Sequence, residues 1–128
     1  MRLPSPDPSP AGRAAPLRGL KVTWLGHATF LMTTATGVRV LFDRFLTNNP
    51  ACPARAKRVG PVDVILITHG HSDHCEDAAS VGRESGATVV ASPELTGWLE
   101  RQGLKHLRPM NIGGRQSVSG LEIVMVPA

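Results

Sequence analysis

"VDVILITHGHSDH" occupies residues 62–74 and sets the reading of the whole chain. Its first part, "VDVILIT", is a continuous run rich in β-branched residues. Such a run predicts a strand buried on both faces of a sheet. Directly after it, His69, His71, Asp73 and His74 fall within six positions. Imidazoles and carboxylates are poor core material, and protonated histidines repel one another. In a loop leaving a buried strand they converge on one point. Neutral imidazole suits Zn, Ni and Fe, and a carboxylate adds an anionic ligand. Gly70 is read as a point where the backbone bends between two ligands. Taken singly, each residue has a plainer reading: His69 ends the strand, His71 and His74 are exposed loop residues, and Asp73 and Glu76 have capping-box spacing. The four together point to a metal site.

Upstream, "LKVTWLGH" alternates and predicts a strand over about 20–25. "ATFLMTT" predicts a second, and "VRVLFD", ending at Asp43, a third. The short turns between them make an antiparallel meander. Residues 44–61 carry many breakers and read as a long loop, a kind that is usually functional when ordered. Downstream, a helix is expected over about 76–85, closed by Gly86. "ATVVAS" is the next strand. Ser92 and Pro93 then open a helix with Leu95, Trp98 and Leu99 on its apolar stripe, ended by Gly103. "RQSVSGLEIVMV" reads as a hairpin turning at Ser119-Gly120. Trp24 and Trp98 are expected in the core. Strands alternating with helices after residue 60 give an α/β class.

Composition narrows the function. The sequence has 128 residues, 41% hydrophobic and 19% charged, which suits one globular domain. It holds no apolar run long enough for a membrane-spanning helix. Residues 1–16 contain five of the 11 prolines and lack the apolar stretch of a secretory signal. They are expected to form a disordered, dispensable tail, with the folded part over 17–128 and a cytoplasmic location. Cys52 and Cys75 lack metal-binding or redox spacing and are expected as free thiols. The net charge of +4 is partly in "ARAKRVG", residues 54–60. No aromatic residue interleaves there, so nucleic acid is not an expected partner.

The chain resembles the metallo-β-lactamase superfamily. "VTWLGHATFLM", "VLFDRFLTNNP", "ILITHGHSDH", "GATVVASPEL", "MNIGG" and "VMVPA" are, in order, similar to a bacterial and archaeal branch of metal-dependent hydrolases related to ascorbate-6-phosphate lactonases. The resemblance covers about residues 19–128 and implies an αββα sandwich, of which this chain supplies about the N-terminal half. It implies one or two divalent metals, with Zn expected and Mn, Ni or Fe as alternatives. His69 and His71 would hold the first, Asp73 and His74 the second, and Asp73 would orient the attacking water. Asp43 would support a ligand, and His27 in "LGHAT" would lie near the site; its plainer reading is a satisfied strand-end histidine. The chemistry implied is hydrolysis of an ester, lactone, amide or phosphodiester in a small-molecule substrate.

Two departures from the family follow. Arg44 stands where the family has Pro after the early aspartate, which is expected to place a cation beside the site and favour an anionic substrate. The superfamily's later histidine, bridging aspartate and final histidine have no counterpart here. The expected activity is therefore weak or absent without a complementary C-terminal half or self-association. A non-catalytic metal-binding remnant and a nucleic-acid processing hydrolase are the alternatives.

Overall fold

A computed structural model describes residues 19–127; the expected tail, residues 1–16, lies outside them. Eight strands and three helices follow one another in chain order: β1 (Lys21–Trp24), β2 (Phe30–Thr33), β3 (Arg39–Phe42), β4 (Val64–Leu66), α1 (Ser72–Cys75), α2 (Ala78–Ser85), β5 (Thr88–Ala91), α3 (Pro93–Arg101), β6 (Leu107–Pro109), β7 (Arg115–Val118) and β8 (Leu121–Val124). The first six strands form one sheet, ordered β1-β2-β3-β4-β5-β6; β7 and β8 form a separate hairpin. Pairing is antiparallel from β1 to β3 and parallel from β3 to β6. The meander and the α/β half expected from the sequence therefore share a single mixed sheet.

The period-2 alternation of side chains divides the core into two layers. Leu41, Ile65 and Val89 project to one face and join Leu46, Val81, Leu99 and Leu104 beneath the helices. Their neighbours Val40, Val64 and Val90 project to the other face, against Met110, Val118 and the inner side of the hairpin. Strand β4 sits between β3 and β5 with Val64 and Ile65 fully buried. This is the placement its unbroken apolar run predicts.

Local chemistry fixes the ends. The Ser92 hydroxyl accepts the Leu95 N–H at 3.3 Å and caps α3, with Pro93 in its first turn. Gly86, at φ 66°, closes α2. Ser119 and Gly120, at φ 50° and 77°, form the β7–β8 turn, the pair of left-handed residues that a two-residue hairpin favours.

Three sequence expectations need correction. Trp24 is 61% exposed and Trp98 39% exposed. Trp24 lies on the edge strand β1, where neither helix nor hairpin covers it, and its indole N–H donates to the His27 carbonyl at 2.8 Å. Leu99, adjacent to Trp98, takes the buried position on α3. The helix expected over 76–85 starts later, as α2 at Ala78, and a separate short helix, α1, precedes it at Ser72–Cys75, the two parted at Asp77 (φ −92°, ψ 2°). Strand β6 has no legible pattern in the sequence: it is three residues long, ends in proline and lies at the sheet edge, a position that tolerates proline.

The break at Asp77 organises the long loop after β3. Its Oδ2 accepts the N–H groups of Leu46 at 2.8 Å and Thr47 at 3.0 Å, and its Oδ1 accepts the Thr47 hydroxyl at 2.5 Å. Burial pushes this carboxyl up. The bonds from Thr47 and Leu46 and the charge of Arg44 outweigh that and hold it below its ordinary value of 3.8. A depressed carboxyl stabilises the fold at pH values above its unfolded value, and the contribution fades as pH falls through the folded one. Asp77→Asn is therefore expected to lose about 1.5–3 kcal/mol at neutral pH, the range for a hydrogen bond to a charged group. The gap between wild type and variant should narrow below the ordinary value of 3.8. Urea unfolding at several pH values checks this; a gap constant down to the most acid value would show that the ionised form contributes nothing.

Candidate metal centre

The expected site residues come from three segments: the β1–β2 loop, the loop after β3 and the turn after β4. Asp43 follows β3 in the left-handed region, at φ 44°, and His27, in the β1–β2 loop, does the same at φ 53°. These are two of the three non-glycine residues with positive φ among the described residues. Such conformations persist where the surroundings over-determine them, often at functional sites. The buried side chain of Asn49 supplies part of that constraint. Its amide donates to the carbonyls of Gly26 at 3.2 Å and Phe45 at 3.0 Å, tying the His27 loop to the loop after Asp43.

After β4 the chain turns through residues 68–71 into α1. His71 is the N-cap residue, and its carbonyl accepts the N–H groups of His74 and Cys75. Asp73 therefore lies inside the helix and does not cap it. Its carboxylate points to two other site residues: Oδ2 lies 2.9 Å from His27 Nε2 and Oδ1 lies 3.8 Å from His74 Nε2. His69 Nε2 faces His71 Nδ1 at 3.1 Å, and the His69 and His74 rings are 4.0 Å apart. His69, His71, Asp73 and His74 thus converge at the exit of the buried strand, and His27 joins them. Gly70 is not in the left-handed region; it provides room, since a Cβ there would lie 3.2 Å from the Leu95 side chain.

Hydrogen bonds fix the imidazole tautomers. Asp43 Oδ1 accepts the Thr68 N–H at 2.7 Å, and Oδ2 accepts the Thr68 hydroxyl at 2.7 Å. That hydroxyl has spent its one proton, so towards His69 Nδ1, 2.9 Å away, it acts as the acceptor. Asp43 Oδ2 also lies 3.0 Å from His74 Nδ1. Both His69 and His74 therefore carry the proton on Nδ1 and turn the Nε2 lone pair toward the cluster, the orientation a metal-binding histidine needs. Asp43 thus holds two of the expected ligands, His74 directly and His69 through Thr68, a residue that the sequence motif does not single out.

The donor set suits a divalent cation. With bonds of about 2.0–2.1 Å, two ligand atoms on a tetrahedral Zn are about 3.3 Å apart. The contacts of 2.9, 3.1 and 3.8 Å bracket that separation. One ligand atom from each of His27, Asp73 and His74 lies within 4.8 Å of the other two. Arg44 does not lie with this cluster. Asp43 turns toward the histidines, whereas Arg44 lies by Asp77 and Glu84, in a cleft below α2. The expected cation beside the metal centre is thus misplaced. Cys75 and Cys52 are free and buried. Burial, with neighbouring carboxylates, raises both thiols above their ordinary value, and Lys57 only partly opposes this at Cys52. Neither is poised as a nucleophile.

Comparison with known proteins agrees with this architecture. The family model of the beta-lactamase superfamily domain matches residues 34–128. A UPF0173 metal-dependent hydrolase of Koribacter versatilis is 47% identical over 112 residues, which is 88% of this chain and 48% of that protein. The solved structure of Igni18, a metallo hydrolase from Ignicoccus hospitalis, superposes with a TM-score of 0.73 at 29% identity, over 85% of this chain and 48% of the other. CmlA, a diiron β-hydroxylase from Streptomyces venezuelae, shares the fold with a TM-score of 0.67 at 23% identity, over 84% of this chain and 24% of that one. The chain spans about half the length of the curated relatives it matches. Among the described residues no helix is long and apolar enough to cross a membrane.

Proposed function

The chain belongs to the beta-lactamase superfamily domain family, and we propose that it carries the first half of the centre of a metal-dependent hydrolase. The observation that carries this reading is the convergence of His27, His69, His71, Asp73 and His74, with Nε2 of His69 and His74 freed by the Asp43–Thr68 hydrogen bonds. His69 and His71 would hold one divalent metal, and Asp73 and His74 a second, with His27 as a third donor. Zn fits the mixed nitrogen and carboxylate set, as do Mn, Ni and Fe. The chemistry supplied by such metals is acidification of water and polarisation of a carbonyl or phosphoryl oxygen.

The protein's own groups do the rest. The Asp73 carboxylate is 46% exposed and accepts a proton from the attacking water, holding it in line with the substrate. Asp43 and Thr68 keep the imidazoles from rotating. The scissile bond is an ester, lactone, amide or phosphodiester of a small molecule. His69 and His71 are two ligands where a catalytic Zn takes three from protein. A complementary C-terminal half or self-association would supply the missing donor.

Metal affinity tests the ligand arrangement without any substrate. Asp43→Asn removes the acceptor shared by Thr68 and His74 and is expected to weaken Zn binding about 10–100-fold, the effect usual for groups that orient ligands. Competition against a chromogenic chelator measures it. Affinity equal to wild type would show that Asp43 orients nothing that binds metal.

A further inference from the structure

A second polar site lies away from the metal centre. Arg44 is 6% exposed. Among the described residues its Nε and Nη1 are fully buried and have no hydrogen-bond partner. A buried guanidinium without partners is rare, because its N–H groups lose water and gain nothing in return. This one lines a cleft of about 640 Å³ between α2 and the loop at residues 57–61. Lys57 and Arg58 line it as well. The cleft is held open in advance. Arg39 donates to the carbonyls of Val59 and Pro61, fixing the loop wall, and Lys57 Nζ donates to the Thr47 carbonyl at 2.6 Å.

The acids at this site do not satisfy Arg44. Both Asp77 oxygens are engaged by Leu46 and Thr47. Glu84 is exposed on the cleft wall and forms no ion pair with Arg44. Three cationic groups thus face two carboxylates, of which one is already spent inward. A guanidinium fork, with Lys57 and Arg58 lining the same cleft, suits the oxygens of a tetrahedral oxyanion.

We propose that the Arg44 cleft binds a phosphate group, either inorganic phosphate or the phosphoryl end of a small metabolite, at a site separate from the metal centre. A cleft of about 640 Å³ is within the usual range for small-molecule pockets.

The test uses the full chain after chelator treatment, so that no metal competes for the anion. Its thermal transition is followed against inorganic phosphate, glycerol 3-phosphate and acetate at fixed ionic strength. A ligand that binds only the folded state raises the transition in a saturable way. Both phosphate compounds are expected to do so, and acetate is not. Tighter binding of glycerol 3-phosphate assigns the site to a metabolite; equal binding assigns it to free phosphate. Arg44→Met, which removes the buried charge at similar volume, should fold and lose the response. Arg58→Ala, at an exposed position, should weaken it about tenfold, as for one lost charge-assisted bond. No saturable response in the wild type, or the same response in Arg44→Met, overturns the proposal. So does a response as strong to acetate, or one that appears only in Glu84→Gln, which would mean that Glu84 occupies Arg44 in solution.

Discussion

Mixing this chain with the C-terminal half of its Koribacter versatilis relative is expected to raise metal-dependent hydrolysis of activated esters, lactones or phosphodiesters by about 10²–10⁴-fold over the chain alone. Proton acceptance by Asp73 is worth about 10²–10⁴-fold, and it is realised only when a full ligand set holds the metal and its water. The reasoning starts from ligand number. In the proposed centre His69 and His71 would leave a metal one protein ligand short of the catalytic norm, and the Koribacter relative is about twice as long. Metal affinity should rise together with turnover, because binding free energy is gained only when the ligands are held in place. Asp73→Ala in the mixture should fall back to background, since it removes both a ligand and the proton acceptor. Parallel assays with Zn and Mn, and a chelator control, read the result. Turnover by the chain alone that equals the mixture, and that Asp73→Ala abolishes, would show that this half of the centre suffices.

The second large effect concerns the platform beneath that centre. Ile65 lies in the middle of β4, fully buried beneath the helices, in register with Leu41 on β3 and Val89 on β5. Ile65→Ala is expected to destabilise the protein by about 2–5 kcal/mol, the range for truncating a large aliphatic side chain in a core. Against a total stability of about 5–15 kcal/mol for a domain, that brings it close to unfolding at ordinary temperature. Ile65→Val should lose only about 0.5–1.5 kcal/mol. Val22→Ala, on an edge strand with 54% of the residue exposed, should be close to neutral. Urea midpoints for the three variants test the ordering. An Ile65→Ala loss below that of Ile65→Val would refute the close packing of Ile65 beneath the helices.

What the sequence revealed follows from how locally each feature is encoded. Strand β4 is legible because burial on both faces leaves no polar position in "VILI". The four clustered ligands are legible because six residues carry them all. The α1–α2 break is not, because Asp77 leaves the helix line to serve Leu46 and Thr47, about thirty residues earlier in the chain. No window around Asp77 contains that partner. Thr68 was hidden for a related reason: its hydroxyl matters only because Asp43 lies across the sheet. Trp24 and Trp98 show the limit of composition, since a large apolar ring prefers burial on average, yet an edge strand and an outer helix face leave it exposed. Arg44 was misassigned by adjacency, because neighbours in sequence need not face the same way.

The strand order of the large sheet is also the order of synthesis. Each strand pairs with the one made just before it, so the sheet can grow vectorially as the chain leaves the ribosome, with no strand waiting for a distant partner. Connections of that kind keep contact order low and folding fast. The chemistry shares the same economy: His27, Asp43, Thr68 and the helix that starts at Ser72 have all been made before β5 is translated. The clustered side chains are thus assembled early, on strands already paired before β5 is made.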